Sequence, residues 1–257
     1  MRYLGTISIF LLCGFFMFTA KTYSQEVNDQ LYMIHEEVVK VNMWDKYEST
    51  SKQWVELMTE GGLEYPYVRA SERDDGHYYY IIPLSSYADI DKMPSVFGSA
   101  IDKIGKDKWS AFMKENNESM ESNKDFIARW SAKYSYIPKS PRIKDNEAGF
   151  LHWIFFTYKL EKRQEVLDVL AEWKALYEKN NIQDGWDIWL IELGLDNNMI
   201  VLTEAAKDGA GFYANMNENN EKIKEDEQKL WTKLSANLVT VEQKYGSPRP
   251  DLSYIKK

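Results

Sequence analysis

The 257-residue chain offers little obvious chemistry: three histidines, His35, His77 and His152, and one cysteine, Cys13. No two histidines lie at metal-ligand spacing and no HExxH pattern occurs, so no metal site is expected. His35 carries the sharpest signal. Glu37 follows two residues on, so on a strand the imidazole and the carboxylate share a face. If that face looks into an apolar space between sheets, burial and pairing tune both groups towards neutral pH. His35 would then act as a proton shuttle, oriented by Glu37, with Arg69 holding an oxyanion. The plainer alternative is a strand-end ion pair, solvated or bonded to Arg69.

Aromatic residues give a second set of candidates. "RASERDDGHYYY" (69–80) reads as the rim of a ligand site that uses His77 and Tyr79, or as a charged hairpin that keeps a sheet edge soluble. Trp153 and Trp186 would line a pocket for a flat apolar ligand, or thicken an aromatic core. The serines show no GxSxG elbow, "KDGAGF" (207–212) lacks the Lys-Ser/Thr tail of a phosphate loop, and no twelve-residue calcium loop is present. No cofactor is expected.

The elements that must position these residues repeat along the chain. "LYMIHEEVVK" (31–40) matches "LHWIFFTYKL" (151–160) at an offset of 120, pairing Leu31 with Leu151, Ile34 with Ile154 and His35 with Phe155. Trp54 and Leu57 match Trp173 and Leu176 at 119, and "SYI" recurs at 135–137 and 253–255. Collinear matches at a nearly fixed offset predict a duplicated unit. Each unit opens with a strand (30–39; 150–160). A helix follows, best seen in the stripe Val166, Leu170, Trp173, Tyr177, with stops at Gly61–Gly62 and Asn180–Asn181. A hairpin comes next, turning at Asp75–Gly76 and at Asp196–Asn198. Long helical regions are expected at about 90–131, broken near Pro94 and Gly105, and at about 209–241. Short strands close the units at 132–138 and 249–255. The units span 25–137 and 149–257, and "PKSPRIKDNEA" (138–148) reads as a linker.

Residues 1–24 read as a signal peptide. Arg2 precedes an apolar run of ~15 residues, too short for a span of ~20, and cleavage is placed after Ser24. The expected destination is the periplasm or the exterior. Loss of Arg2 and Lys21 takes the formal charge from −8 to −10 and removes the only cysteine. An acidic chain without a basic stripe argues against nucleic acid and anionic membrane surfaces as partners. Hydrophobic residues at 44% and aromatics at 14% supply a large core.

"GFLHWIFFTYKL" (149–160) ties these observations together. It lacks the alternation of a half-exposed strand, so both faces must be covered. The order strand–helix–strand–strand–helix–strand is that of a ferredoxin-like unit, whose helices cover one face of an antiparallel sheet. The sister unit's sheet would cover the other face. This α+β arrangement resembles the dimeric α+β barrel superfamily, here as two ferredoxin-like repeats forming a barrel within one chain. The superfamily holds cofactor-free monooxygenases, EthD-like and NIPSNAP-like proteins and haem-binding peroxidase relatives. No catalytic motif of the superfamily is present, so the resemblance assigns no residue. Its haem branch would need an axial histidine. Three functions stay open: binding of a small, partly apolar ligand between or beneath the sheets; cofactor-free catalysis of monooxygenase or isomerase type through His35; and a non-catalytic interaction module. The oligomeric state is not specified.

Overall fold

The computed structural model describes residues 28–196 and 198–256, so the expected signal peptide lies outside the described residues. Strand β1 (Gln30–Val39) leads into helix α1 (Trp44–Gly61). That helix stops where Gly62 takes φ 63°. Strands β2 (Tyr67–Arg73) and β3 (His77–Leu84) form a hairpin, then come α2 (Ala88–Ile104), α3 (Lys106–Ser119) and β4 (Met120–Trp130). The second half runs β5 (Phe150–Tyr158), α4 (Arg163–Lys179), hairpin β6 (Trp186–Leu193) and β7 (Met199–Ala206), α5 (Gly209–Ser235) and β8 (Leu238–Pro248). A two-residue strand, β9 (Tyr254–Ile255), lies on β2.

Every ladder is antiparallel. The order β3-β1-β4-β6-β7-β5-β8-β2 returns to its start through the β2–β3 pairing, which makes a closed eight-stranded barrel. Closure gives every one of the eight strands two neighbours, although β4 meets β6 only from Ile127 on and β8 meets β2 only from Gly246 on. The two halves join at the β4–β6 and β8–β2 seams, and glycine permits close approach at both. A Cβ on Gly246 would stand 1.9 Å from the Glu72 carbonyl oxygen, and one on Gly194, at φ 90°, would stand 2.5 Å from that of Asp125.

Strand alternation sorts the core into layers. Ile34, Tyr79, Phe126, Ala128, Trp153, Ile191 and Val201 meet inside the barrel. Phe156, Tyr158, Ile188 and Ile200 face outward against α4 and α5. Tyr78, Tyr80 and Ile82 do the same against α1, α2 and α3. The double covering of β5 thus has a simple origin. Leu151, Trp153 and Phe155 point into the barrel, while His152, Ile154, Phe156 and Tyr158 point to the helices. The halves do not stack as two sheets; they are hydrogen-bonded edge to edge around one interior.

Several expected boundaries are corrected. Residues 120–130 are strand rather than helix, and the helix expected to about 241 ends at Ser235, with β8 running from Leu238 to Pro248. Both strands begin beyond the barrel rim, where Glu121–Asp125 and Val239–Gln243 are solvent-exposed. The strand expected at 132–138 reduces to a single bridge, Tyr136 to Trp186, and 249–255 shortens to β9 after a 3-10 turn. The helix break falls at Gly105, whereas Pro94 lies inside α2 without ending it. Met93, Val96 and Phe97 around Pro94 pack onto the first core and hold that turn in place. The pairing of His35 with Phe155 also fails. His35 lies on the helix-facing side with Glu37 and Tyr80, and Phe155 lies inside the barrel. An offset of 119, which also separates the starts of α1 and α4, restores matching faces. A one-residue slip on a strand reverses every side chain.

Candidate ligand-binding site

The second half holds a cavity of about 880 Å³ between the outer face of its sheet and helices α4 and α5. Such a volume suits a small organic ligand. The sheet contributes His152, Ile154 and Phe156 from β5, Trp186 from β6, and Leu202 and Glu204 from β7. These residues alternate along their strands, so one face presents them all. The helix stripe of α4 brings Leu170, Trp173 and Tyr177, and α5 adds Phe212, Asn219, Glu227 and Trp231. Trp186 is fixed by its indole N–H, which donates to the Tyr134 carbonyl at 3.1 Å, and Tyr177 meets it edge-on with ring centres 4.6 Å apart.

The polar groups here are arranged around His152, which is 4% exposed. Its Nδ1 lies 2.8 Å from Glu204 Oε2, and its Nε2 lies 3.1 Å from Gln243 Oε1. Tyr245 stacks on the ring at 5.0 Å, and Phe212 packs edge-on at the same distance. Both nitrogens are therefore engaged. The imidazole has no open nitrogen for a haem iron, and the residues do not fit axial ligation. Glu227 is held above the usual carboxylate range, first by burial and then by the charge of Glu204. The Tyr177 phenol is pushed well up by burial and by the negative charge of Glu227, Glu204 and Asp184. Asn219 is 5% exposed and donates to Asp184 Oδ2 at 2.9 Å, while its own Oδ1 has no hydrogen-bond partner.

The residues expected from sequence divide among three places. His35 and Glu37 do come together, at 3.1 Å, but on the helix-facing side of the first half and not in a space between sheets. Asp125 binds the other ring nitrogen at 2.8 Å. Glu37 also accepts from the Tyr47 hydroxyl, which contacts the Tyr80 hydroxyl at 2.8 Å. Arg69 is not their partner. It follows the inward-facing alternation of β2, opposite Ile81, and its guanidinium sits 4.9 Å from the Tyr67 ring centre. His77 and Tyr79 also point inward. His77 Nδ1 pairs with buried Glu36 at 2.6 Å, and Tyr79 accepts from Arg73 at 2.9 Å. Trp153 packs near Tyr79 inside the barrel, with ring centres 6.3 Å apart. Trp186 alone of these residues reaches the cavity, so Trp153 and Trp186 line no common pocket.

His152, Glu204 and Glu227 were not legible as a set. His152 sits in an apolar run and resembles a stray core residue, while Glu227 sits in a highly charged helix. The register that joins them is that of β5 with β7, strands separated in the chain by α4 and β6, which places His152 directly opposite Glu204. Among the described residues no group of three or more His, Cys, Asp or Glu side chains is placed to hold a metal ion.

No family model matches the chain, and no curated protein matches it by sequence. Solved structures do match in shape. An anthrone oxidase-like protein superposes with TM-score 0.59 at 10% identity, covering 85% of this chain and 91% of its own. A candidate monooxygenase of Fusobacterium nucleatum gives 0.54 at 15% identity, covering 86% and 93%. Another from Lactobacillus acidophilus gives 0.52 at 9% identity, covering 90% and 97%. Identities this low speak to the fold alone. The chain therefore has the architecture of the dimeric α+β barrel proteins, closed within a single polypeptide.

Proposed function

We propose that this protein binds a small, flat, partly apolar ligand in the cavity between the second half's sheet and helices α4 and α5. The observation that carries the reading is the cavity itself: about 880 Å³, walled by Trp173, Tyr177, Trp186 and Phe156, with a buried histidine–carboxylate pair on its floor. Aromatic walls supply stacking area, and a few polar groups fix orientation. The solved structures of like fold include proteins described as monooxygenases, which supports small-molecule chemistry on this scaffold. A catalytic reading takes its support from the same pair. His152, oriented by Glu204, would exchange a proton with a bound ligand, without a cofactor, by giving up its Nε2 contact to Gln243. The His35–Glu37–Asp125 cluster is read instead as part of the first half's internal bonding.

We read the chain as two ferredoxin-like units, 25–137 and 149–257, joined by 138–148 and descended from one. The shared strand order supports this: β2-β3-β1-β4 in the first half and β6-β7-β5-β8 in the second. The chain is taken as exported after cleavage near Ser24. The test of the binding reading is tryptophan fluorescence against a panel of flat polycyclic compounds. Quenching is expected, reduced by Trp173→Phe and by Trp186→Phe but not by Trp153→Phe. Quenching lost only with Trp153→Phe would move the ligand into the barrel and refute the reading.

A further inference from the structure

Carboxylates outnumber cationic side chains on the cavity lining, and this restricts the ligand further. Glu204 and Glu227 line the cavity close enough for the charge of one to hold up the pKa of the other. Asp184 is neutralised, since Arg142 Nε binds it at 3.1 Å. Lys224 is the cationic side chain on the cavity lining, at the exposed surface of α5. Glu204, Glu221 and Glu227 therefore line a space whose walls include Trp173, Tyr177, Trp186 and Trp231. Aromatic faces attract cations through their quadrupoles, most strongly when water is excluded.

We infer that the cavity selects aromatic cations, and specifically a flat ring system carrying a protonated amine, amidine or guanidine. Its charged N–H donors are met by Glu204 and Glu227, and its ring by the tryptophans. This rests on the binding reading above and narrows it. A bound cation offsets the mutual repulsion of the carboxylates. A carboxylated analogue of the same shape meets like charge and is rejected.

The test is calorimetric titration of the full chain with a matched series: 1-naphthylmethylamine, 1-naphthylmethanol and 1-naphthylacetate. The amine should bind at least about tenfold tighter than the alcohol, with the acetate weakest. Glu227→Gln should weaken the amine about tenfold and leave the alcohol within about twofold. For the unmodified protein, raising salt should weaken the amine and leave the alcohol unchanged, a readout that needs no variant. Equal affinity for amine and alcohol, or preference for the acetate, overturns cation selection while the binding reading stands. Failure of all three to bind overturns both.

Discussion

His35 makes the first half's stability depend on pH in a calculable way. Burial alone would depress its pKa, but the hydrogen bonds that the ring donates to Asp125 and Glu37, with their negative charge, outweigh burial and lift it from 6.5 to about 9. A group whose folded pKa is raised adds stability that is complete below its unfolded pKa. That stability is lost as pH rises through the folded value. The window is therefore pH 6.5 to about 9. The gap of about 2.5 pH units sets a ceiling of about 3.4 kcal/mol. The Asp125 side chain is 62% exposed and the His35 side chain 30%, so solvent screens much of the interaction. About 1–2 kcal/mol is expected to remain. Urea unfolding at about pH 6 and about pH 9.5, on the unmodified protein and on His35→Gln, isolates this contribution from every other titration. The unmodified protein should lose about 1–2 kcal/mol more than the variant over that interval. Equal losses, or an NMR titration of the His35 ring centred near its ordinary value, would refute the assignment of the cluster as an ion pair.

Further outcomes follow at the β8–β2 seam, in α2 and at two polar side chains. Gly246→Ala should cost about 1–3 kcal/mol, because the added Cβ meets backbone at the β8–β2 seam. Gly98→Ala in α2 meets nothing within 4 Å and should instead stabilise by about 0.5–1 kcal/mol, so paired thermal melts separate seam from helix. Arg249, 12% exposed, binds Glu48 at 2.7 Å and Asp251 at 2.9 Å and also pairs with Glu72. Arg249→Ala should destabilise by about 2–3 kcal/mol in urea, with Arg249→Lys recovering part of the loss. Tyr47→Phe should cost about 1–3 kcal/mol, because Glu37 loses a buried donor.

Much of this architecture could be read from the chain. The stripe Val166–Leu170–Trp173–Tyr177 marks α4, Gly62 marks the end of α1, and the unalternating β5 announces two covered faces. What failed did so for physical reasons. β4 and β8 begin outside the barrel, where no core imposes an apolar pattern, so their polar halves read as helix or loop. Matching β1 to β5 through leucine and isoleucine identities placed residues one position out of step, because both faces of β5 are apolar and identity cannot distinguish them. That slip put His35 opposite Phe155 and directed attention to the first half. The cavity depends on how far α4 and α5 stand from the sheet, a tertiary spacing that no local pattern encodes. Trp186 is legible because it is large and lies on a strand, whereas the partners of His152, Glu204 and Gln243, are distant in sequence.

The most direct examination of the binding account is methyl NMR during titration with 1-naphthylmethylamine. Ile154, Leu170 and Leu202 line the cavity, while Ile34, Ile191 and Val201 fill the barrel interior. The account predicts that saturating ligand shifts the first three and leaves the second three in place. Shifts centred on Ile34, Ile191 and Val201, with Ile154, Leu170 and Leu202 unmoved, would contradict it.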